Sequence, residues 1–227
     1  MARIIKTEQQ KQKSKIKKVL TILLIVILIA GGIVAVWNFV FKDDNKEAQS
    51  IKELAKLEEY GYTLTDLDSK YFKSEFEVLE KILEAESIDE KEYVTQVAKM
   101  FVIDLYSLNT KVNKYDIGGG EYYHSAKKAM YEQKVMDTLY STLLDNTFGD
   151  RKQELPEVKN VEVKNVEEDT YEIDKAKYDS YVVDLEITYV KSMGYDEKVT
   201  ATLIKEDNSN RWSVVDIAPT KTKSEKK

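Results

Sequence analysis

The sequence predicts an α+β domain held on a single membrane-spanning helix, and three observations carry that expectation. Residues 19–41 (VLTILLIVILIAGGIVAVWNFVF) are apolar throughout and contain no charge. From Phe72 to Leu144, apolar residues recur at helical spacing. Beyond Pro156 the apolar period falls to two, the alternation of a half-buried strand.

The apolar run is taken first. At about 1.5 Å per residue it covers roughly 34 Å as a helix, enough for a hydrocarbon core of about 30 Å. Ahead of it lie Arg3, Lys6, Lys11, Lys13, Lys15, Lys17 and Lys18 against one acid, Glu8; behind it Lys42, Asp43, Asp44, Lys46 and Glu47 nearly cancel. Basic residues resist translocation, so residues 1–18 read as a cytoplasmic tail and 19–41 as the transmembrane helix of a single-pass cell-membrane protein. The remainder is then extracytoplasmic. Trp37 and Phe41 fall at the outer end, where bulky rings settle at headgroup level. A cleaved signal peptide would have an apolar region of about 7–15 residues and small residues at its cleavage site. This run is longer, and Trp37-Asn38-Phe39 is a poor cleavage context. The chain has no cysteine, which excludes a lipid-modified cysteine anchor and any disulfide staple.

Charge narrows the function classes. The whole chain carries a net charge of −6; seven of its 35 basic residues but only one of its 41 acids lie in the first 18 positions. The remaining 28 basic and 40 acidic residues leave the exported part at −12. Nucleic-acid binding needs a basic patch or stripe, and this composition offers none. The length after residue 41 is enough to bury one core without covalent staples.

Residues 42–62 read as a juxtamembrane stalk, helical over 43–60, with a thin stripe of Ile51, Leu54 and Leu57 beside Ala48 and Ala55. That stripe is too short for a coiled coil, and Gly61 and Thr63 interrupt it. The domain proper is expected over 63–219. Its first helix carries Phe72, Phe76, Leu79 and Leu83. A second opens with Ser87-Ile88-Asp89-Glu90, a capping-box pattern, and buries Val94, Val97, Phe101, Leu105 and Leu108. Residues 109–123 break the period, and Gly118-Gly119-Gly120 reads as a flexible connector. A third helix is expected from near Ser125 to just before Gly149, with Ala129, Met130, Met136, Tyr140, Leu143 and Leu144 inward.

Val161 and Val163 suggest a first strand, with Tyr171 and Ile173 as a continuation. The clearest strand has Tyr181, Val183, Leu185, Ile187 and Tyr189 on one face and Val182, Asp184, Glu186, Thr188 and Val190 on the other. Ser192-Met193-Gly194 reads as a turn. KVTATLIK and RWSVVDI, joined by Glu206 to Asn210, form an antiparallel hairpin. Residues 220–227 are polar and expected to be disordered. Helices followed by antiparallel strands give an α+β fold, a curved sheet of three to five strands with helices on its concave side.

The stretch YVVDLEITYVKSMGYDEKVTATLIKEDNSNRWSVVDI, a long strand, turn, strand, polar turn and closing strand with Trp212, Val214 and Ile217, resembles the NTF2-like, or cystatin-like cone, group. The order of cytoplasmic tail, single span and exported cone is similar to VirB8-type proteins, scaffold subunits of type IV secretion and conjugation machines, including those of Gram-positive mobile elements. The likeness covers about 150 residues by element order and rests on no residue fingerprint. It implies a non-enzymatic scaffold whose partners are the lipid bilayer, other envelope or channel proteins and copies of itself. The same cone also hosts enzymes and binders, so a tethered small-ligand sensor or enzyme is the alternative.

No residue is assigned as catalytic, cofactor-binding or metal-ligating, and no cofactor is expected. His124, the sole histidine, sits where a helix begins and reads as a solvated or capping residue; with no cysteine either, multi-histidine and thiolate sites are excluded. Asp104 interrupts FVIDLYSL about 60° from the centre of its apolar face. An acid there either points into a cone pocket or reaches the rim, and the rim is the simpler reading. Asp184 and Glu186 should be solvated. Gly118 to Gly120 lack the flanking features of a nucleotide loop, and Glu167-Glu168-Asp169 lack EF-hand spacing. The fifteen tyrosines cluster at Tyr60, Tyr62 and Tyr71 and at Tyr122, Tyr123 and Tyr131, positions that would suit either a contact surface or core edges.

Overall fold

The computed structural model describes residues 48–207 and 209–220. The expected cytoplasmic tail, transmembrane helix, first stalk residues and nearly all of the carboxyl tail lie outside them. Among the described residues no helix is long and apolar enough to cross a membrane.

The chain runs β1 (Glu53–Leu57), β2 (Tyr62–Thr65), α1 (Lys70–Leu83), α2 (Glu90–Tyr106), α3 (Lys128–Asp137), β3 (Val158–Ile173), β4 (Ala176–Tyr189), β5 (Lys198–Lys205) and β6 (Trp212–Pro219). Strands β3 to β6 form an antiparallel meander in sequence order, and β1–β2 is a separate hairpin. The fold is α+β.

The hairpin replaces the described part of the expected stalk helix. The thin stripe buried too little to hold a helix: Ile51 and Leu54 are exposed, whereas Tyr62 is fully enclosed. Gly61, at φ +67, makes the tight turn, and Leu57 O accepts from both Tyr60 N and Gly61 N. Residue 49 already belongs to this body, since Gln49 N donates to Thr147 O at 2.8 Å.

Helix α1 starts at Ser69, whose hydroxyl accepts from Phe72 N at 3.0 Å, and buries Phe72, Phe76, Leu79 and Ile82. Helix α2 is capped by Asp89, which accepts from Glu92 N, so the expected Ser87–Glu90 box does not form. Glu90 instead accepts the Trp212 indole N–H at 3.1 Å. Far from being one-faced, α2 is buried nearly all round, because it lies between α1 and all four strands of the sheet.

The third helical region is shorter than expected. Residues 125–127 form a single 3-10 turn, α3 ends at Asp137, and turns follow. Its buried residues are Tyr131, Val135, Tyr140 and Leu143; Ala129, Met130 and Leu144 point outward, one position out of phase with the expectation, and Met136 is half-buried. The break at Thr138 resets the phase that an unbroken helix would have kept.

Strand β3 is one 16-residue strand that unites the two expected pieces. On β4, Val183, Leu185, Ile187 and Tyr189 are buried in alternation. Asp184 and Glu186 are only partly solvated: Asp184 accepts from Thr200 Oγ1 at 2.6 Å, and Glu186 pairs with Lys164 at 2.6 Å. Irregular register at Val158/Asn160, Val163/Asn165 and Thr202/Leu203 marks bulges, which bend strands and increase twist. Since β5 pairs with β4 only from Ser180 to Glu186, β3 and β4 continue past Ser180 as a two-stranded ribbon. The ribbon closes at Asp174 and Lys175, both with positive φ, as a two-residue type I′ turn requires.

The core is aromatic. Tyr62 stacks on Tyr122 (4.7 Å) and Tyr123 on Tyr131 (4.1 Å), with Phe76, Phe101, Tyr93 and Tyr140 fully enclosed. The tyrosine clusters therefore fill the interior rather than a contact surface; Tyr71 alone among the six is only half-buried. Tyr62 Oη lies 3.1 Å from Tyr93 Oη and donates to Trp212 O at 3.3 Å. Burial pushes the Tyr62 phenol up to about 12, so it stays neutral.

Candidate functional site

The loop after α2 is built around Asp104. Its carboxylate accepts Lys111 Nζ and, at 2.6 Å, Gly119 N. The side chains of Asp104 and Lys111 are 16% and 8% exposed, so Asp104 is drawn inward and does not reach a solvated rim. Burial disfavours charge on Lys111, but Asp104, with Tyr140 and Asp116, outweighs it and raises its pKa.

Gly118 to Gly120 is a packed crossing and not a flexible connector. A Cβ on Gly118 would lie 2.6 Å from the Asp104 carbonyl carbon and 2.8 Å from Tyr140 Oη; one on Gly119, at φ +78, would lie 2.7 Å from the Phe101 ring. Tyr131 Oη donates to Gly118 O at 2.5 Å and Tyr140 Oη to Leu105 O at 2.9 Å. Only glycine lets this backbone press on α2.

Asp104 and Lys111 line a cavity of about 190 Å³ together with Asp68, Asp116, Glu121 and Thr63. Each acid is tied to backbone. Asp68 accepts from Thr65 N (2.6 Å), Glu121 from Thr63 N (2.8 Å), and Asp116 from Val112 N (2.8 Å). Burial raises the pKa of both Asp68 and Glu121 against those bonds. Glu121 thus ties β2 to the 110–121 loop, Asp104 ties that loop to α2 through Lys111 and Gly119, and Asp68 and Asp116 hold their own turns. Among the described residues no group of three His, Cys, Asp or Glu is placed to hold a metal.

His124 takes the capping role but not the solvated one. It is 5% exposed, and its Nδ1 accepts from Ala126 N at 3.3 Å. Nε2 sits 4.0 Å from a carboxylate oxygen of Glu206. Glu206 accepts Ser125 N and Oγ; burial opposes its charge, but those bonds and His124 hold its pKa below the usual range. Glu167, Glu168 and Asp169 stand exposed on the ribbon.

A further apolar surface is one the sequence did not indicate. Tyr123 bridges Val214 in parallel, and His124 N donates to Val214 O at 2.8 Å, so this segment covers the β6 edge only that far. Beyond it, α3 and the end of β6 frame a groove of about 470 Å³, walled by Leu105, Met130, Tyr131, Leu139 and Ile217. Lys127, Lys134, Asp196 and Asp216 also line it. Thr220 N donates to Lys198 O, so alternate residues face β5 and the Ile217 peptide turns toward the groove. Met130, expected inward, stands exposed at this groove.

Comparison with family models, with curated proteins and with solved structures finds no match.

Proposed function

We propose that the chain is a single-pass membrane scaffold whose extracytoplasmic NTF2-like domain makes protein–protein contacts, a VirB8-like part of a conjugation or type IV secretion machine. The observation that carries this reading is the filled interior. Where a ligand-binding cone would hold a cavity between helices and sheet, Tyr62, Tyr93, Tyr122, Phe76, Phe101 and Met100 close it. The order of helices followed by a bulged four-stranded meander supports the cone assignment, and the uncharged run at 19–41 with its basic flank supports the anchor. The mechanism is positional: tethering raises effective concentration, so weak contacts suffice. The alternative, a tethered small-ligand sensor or enzyme, draws on the α3–β6 groove. Its walls are mainly apolar, and among its polar lining residues Tyr106 donates to Asp196.

Protease treatment of wall-stripped cells tests the topology: a carboxyl-terminal epitope should be lost and an amino-terminal one protected. Crosslinking the embedded protein should recover conjugation ATPase or channel subunits. A cytosolic carboxyl end, or recovery of none of those subunits, would remove the reading.

A further inference from the structure

Among the described residues, four of the eight large apolar side chains that stand exposed gather at one end of the domain. Ile51, Leu144 and Phe148 are each at least 50% exposed, and Tyr115 is 70% exposed. Hydrogen bonds join the segments that carry them. Gln49 N donates to Thr147 O at 2.8 Å, and Gln49 Nε2 to Asn146 O at 2.5 Å. Asn146 N in turn donates to Val112 O at 2.7 Å, and Asp116 N to Asn113 O at 3.0 Å, closing the turn that exposes Tyr115. Ile51 lines the same small cavity as Lys111, Asp116 and Ile117. Exposed apolar residues gathered in this way mark a surface that meets a partner or a membrane.

The cations of this end are engaged. Arg151 donates to Lys111 O, Leu144 O and Asn109 O, and Lys111 pairs with Asp104. Lys114 Nζ lies over the Tyr115 ring, 5.1 Å from its centre. Along the chain, Asp145 and Asp150 offset Lys152. The surface is apolar without being basic.

The direction from which the chain arrives decides what covers it. Seven residues, 42–48, separate Gln49 from Phe41, the last residue of the apolar run. Fully extended, that tether reaches about 28 Å. Strand β3 starts beside this end, where Pro156 O accepts Asn109 N at 3.2 Å, and its 16 residues rise roughly 50 Å toward the ribbon tip. A tether shorter than β3 does not let the domain stand on its ribbon with Gln49 farthest from the lipid. The end that holds Gln49 is the one kept close. We propose that this end docks on the outer surface of the bilayer, with Ile51, Tyr115, Leu144 and Phe148 entering the boundary between headgroups and acyl chains. The inference rests on the anchor proposed above. Aromatic and aliphatic side chains suit that layer, and tethering lets a weak insertion suffice. With its cations engaged, the face needs no anionic lipid.

The chain has no cysteine, so one introduced cysteine takes one label. Leu144→Cys, Phe148→Cys and Glu172→Cys, all at exposed positions, are each coupled to an environment-sensitive dye. The full chain is then reconstituted into phosphatidylcholine vesicles, and flotation selects the vesicle-bound fraction. In that fraction, emission at 144 and 148 should shift to the blue and be quenched by lipids brominated near the headgroup end of their chains. Emission at 172, near the ribbon tip, should do neither. Quenching should persist in about 1 M salt, where charge interactions are screened beyond about 3 Å. Tyr115→Ser with Phe148→Ser should abolish it for a label at 144, with flotation and melting curve unchanged. Protein that does not float would remove the anchor and this inference with it. Floating protein would overturn the docking face alone if 144 and 148 were unquenched, if 172 were quenched equally, or if salt released the face. A blue shift without lipid quenching, as a protein or second copy over the face would give, would overturn it too.

Discussion

Gly118→Ala is the sharpest test of how the 109–123 segment is held. The added methyl would sit 2.6 Å from the Asp104 carbonyl carbon and 2.8 Å from Tyr140 Oη. The first neighbour is helix backbone in the middle of the core, which cannot swing aside as a side-chain tip does. Overpacking of this kind costs about 1–3 kcal/mol, and rigid backbone puts it at the upper end. Moving the crossing also stretches the Gly119 N to Asp104 bond, 2.6 Å long, and a bond to a charged group contributes about 1.5–3 kcal/mol. The expected loss is therefore about 3–6 kcal/mol, a large part of a domain stability of about 5–15 kcal/mol. Urea unfolding of the full chain in detergent, followed by near-UV circular dichroism of the buried tyrosines, would read it as a lower midpoint at unchanged slope. A midpoint equal to that of the parent would mean the three glycines are a loose connector and that the packed crossing is wrong.

Two other outcomes follow from the same region. Lys111→Met leaves Asp104 charged, enclosed and short of a partner, at a cost of about 3–5 kcal/mol. Asp104→Asn added to it should recover much of the loss, since the amide oxygen still accepts Gly119 N; a double variant no better than the single would show that the pair is not coupled. Glu121 has its pKa raised in the fold by burial. Such a group costs stability above its folded pKa, and the cost is relieved as pH falls through that value toward the unfolded one near 4.3. Glu121→Gln should therefore gain most on the parent at about pH 7 and lose that advantage by about pH 4.5. A pH-independent difference in urea midpoints would contradict the raised pKa.

The strands were legible because one-sided burial stamps a period of two on the sequence. Val183, Leu185, Ile187 and Tyr189 alternate, and β5 falls on the expected residues 198–205. Helix α1 was legible for the same reason at period 3.6. Helix α2 showed only part of its burial. A helix enclosed on every side has no polar face, and Asp104 looked like a rim residue because its partners, Lys111 and Gly119, lie beyond the helix end. The β1–β2 hairpin was missed because pairing, not pattern, holds it; the expected capping box does not form, since Asp89 takes the cap and the Trp212 indole, 122 residues away, donates to Glu90.

The α3–β6 groove could not be read along the chain, because it joins Met130 to Ile217 and depends on where β6 stops being covered.

By itself the sequence determined the α+β class, the order of the helices before the four-stranded sheet, and the expectation of an anchor, because these follow from local periodicity and from the length of one apolar run. Tertiary structure decided what the glycines, the tyrosines, His124 and Asp104 do. A side chain's role is set by which groups share its space, and folding brings those groups from distant parts of the chain.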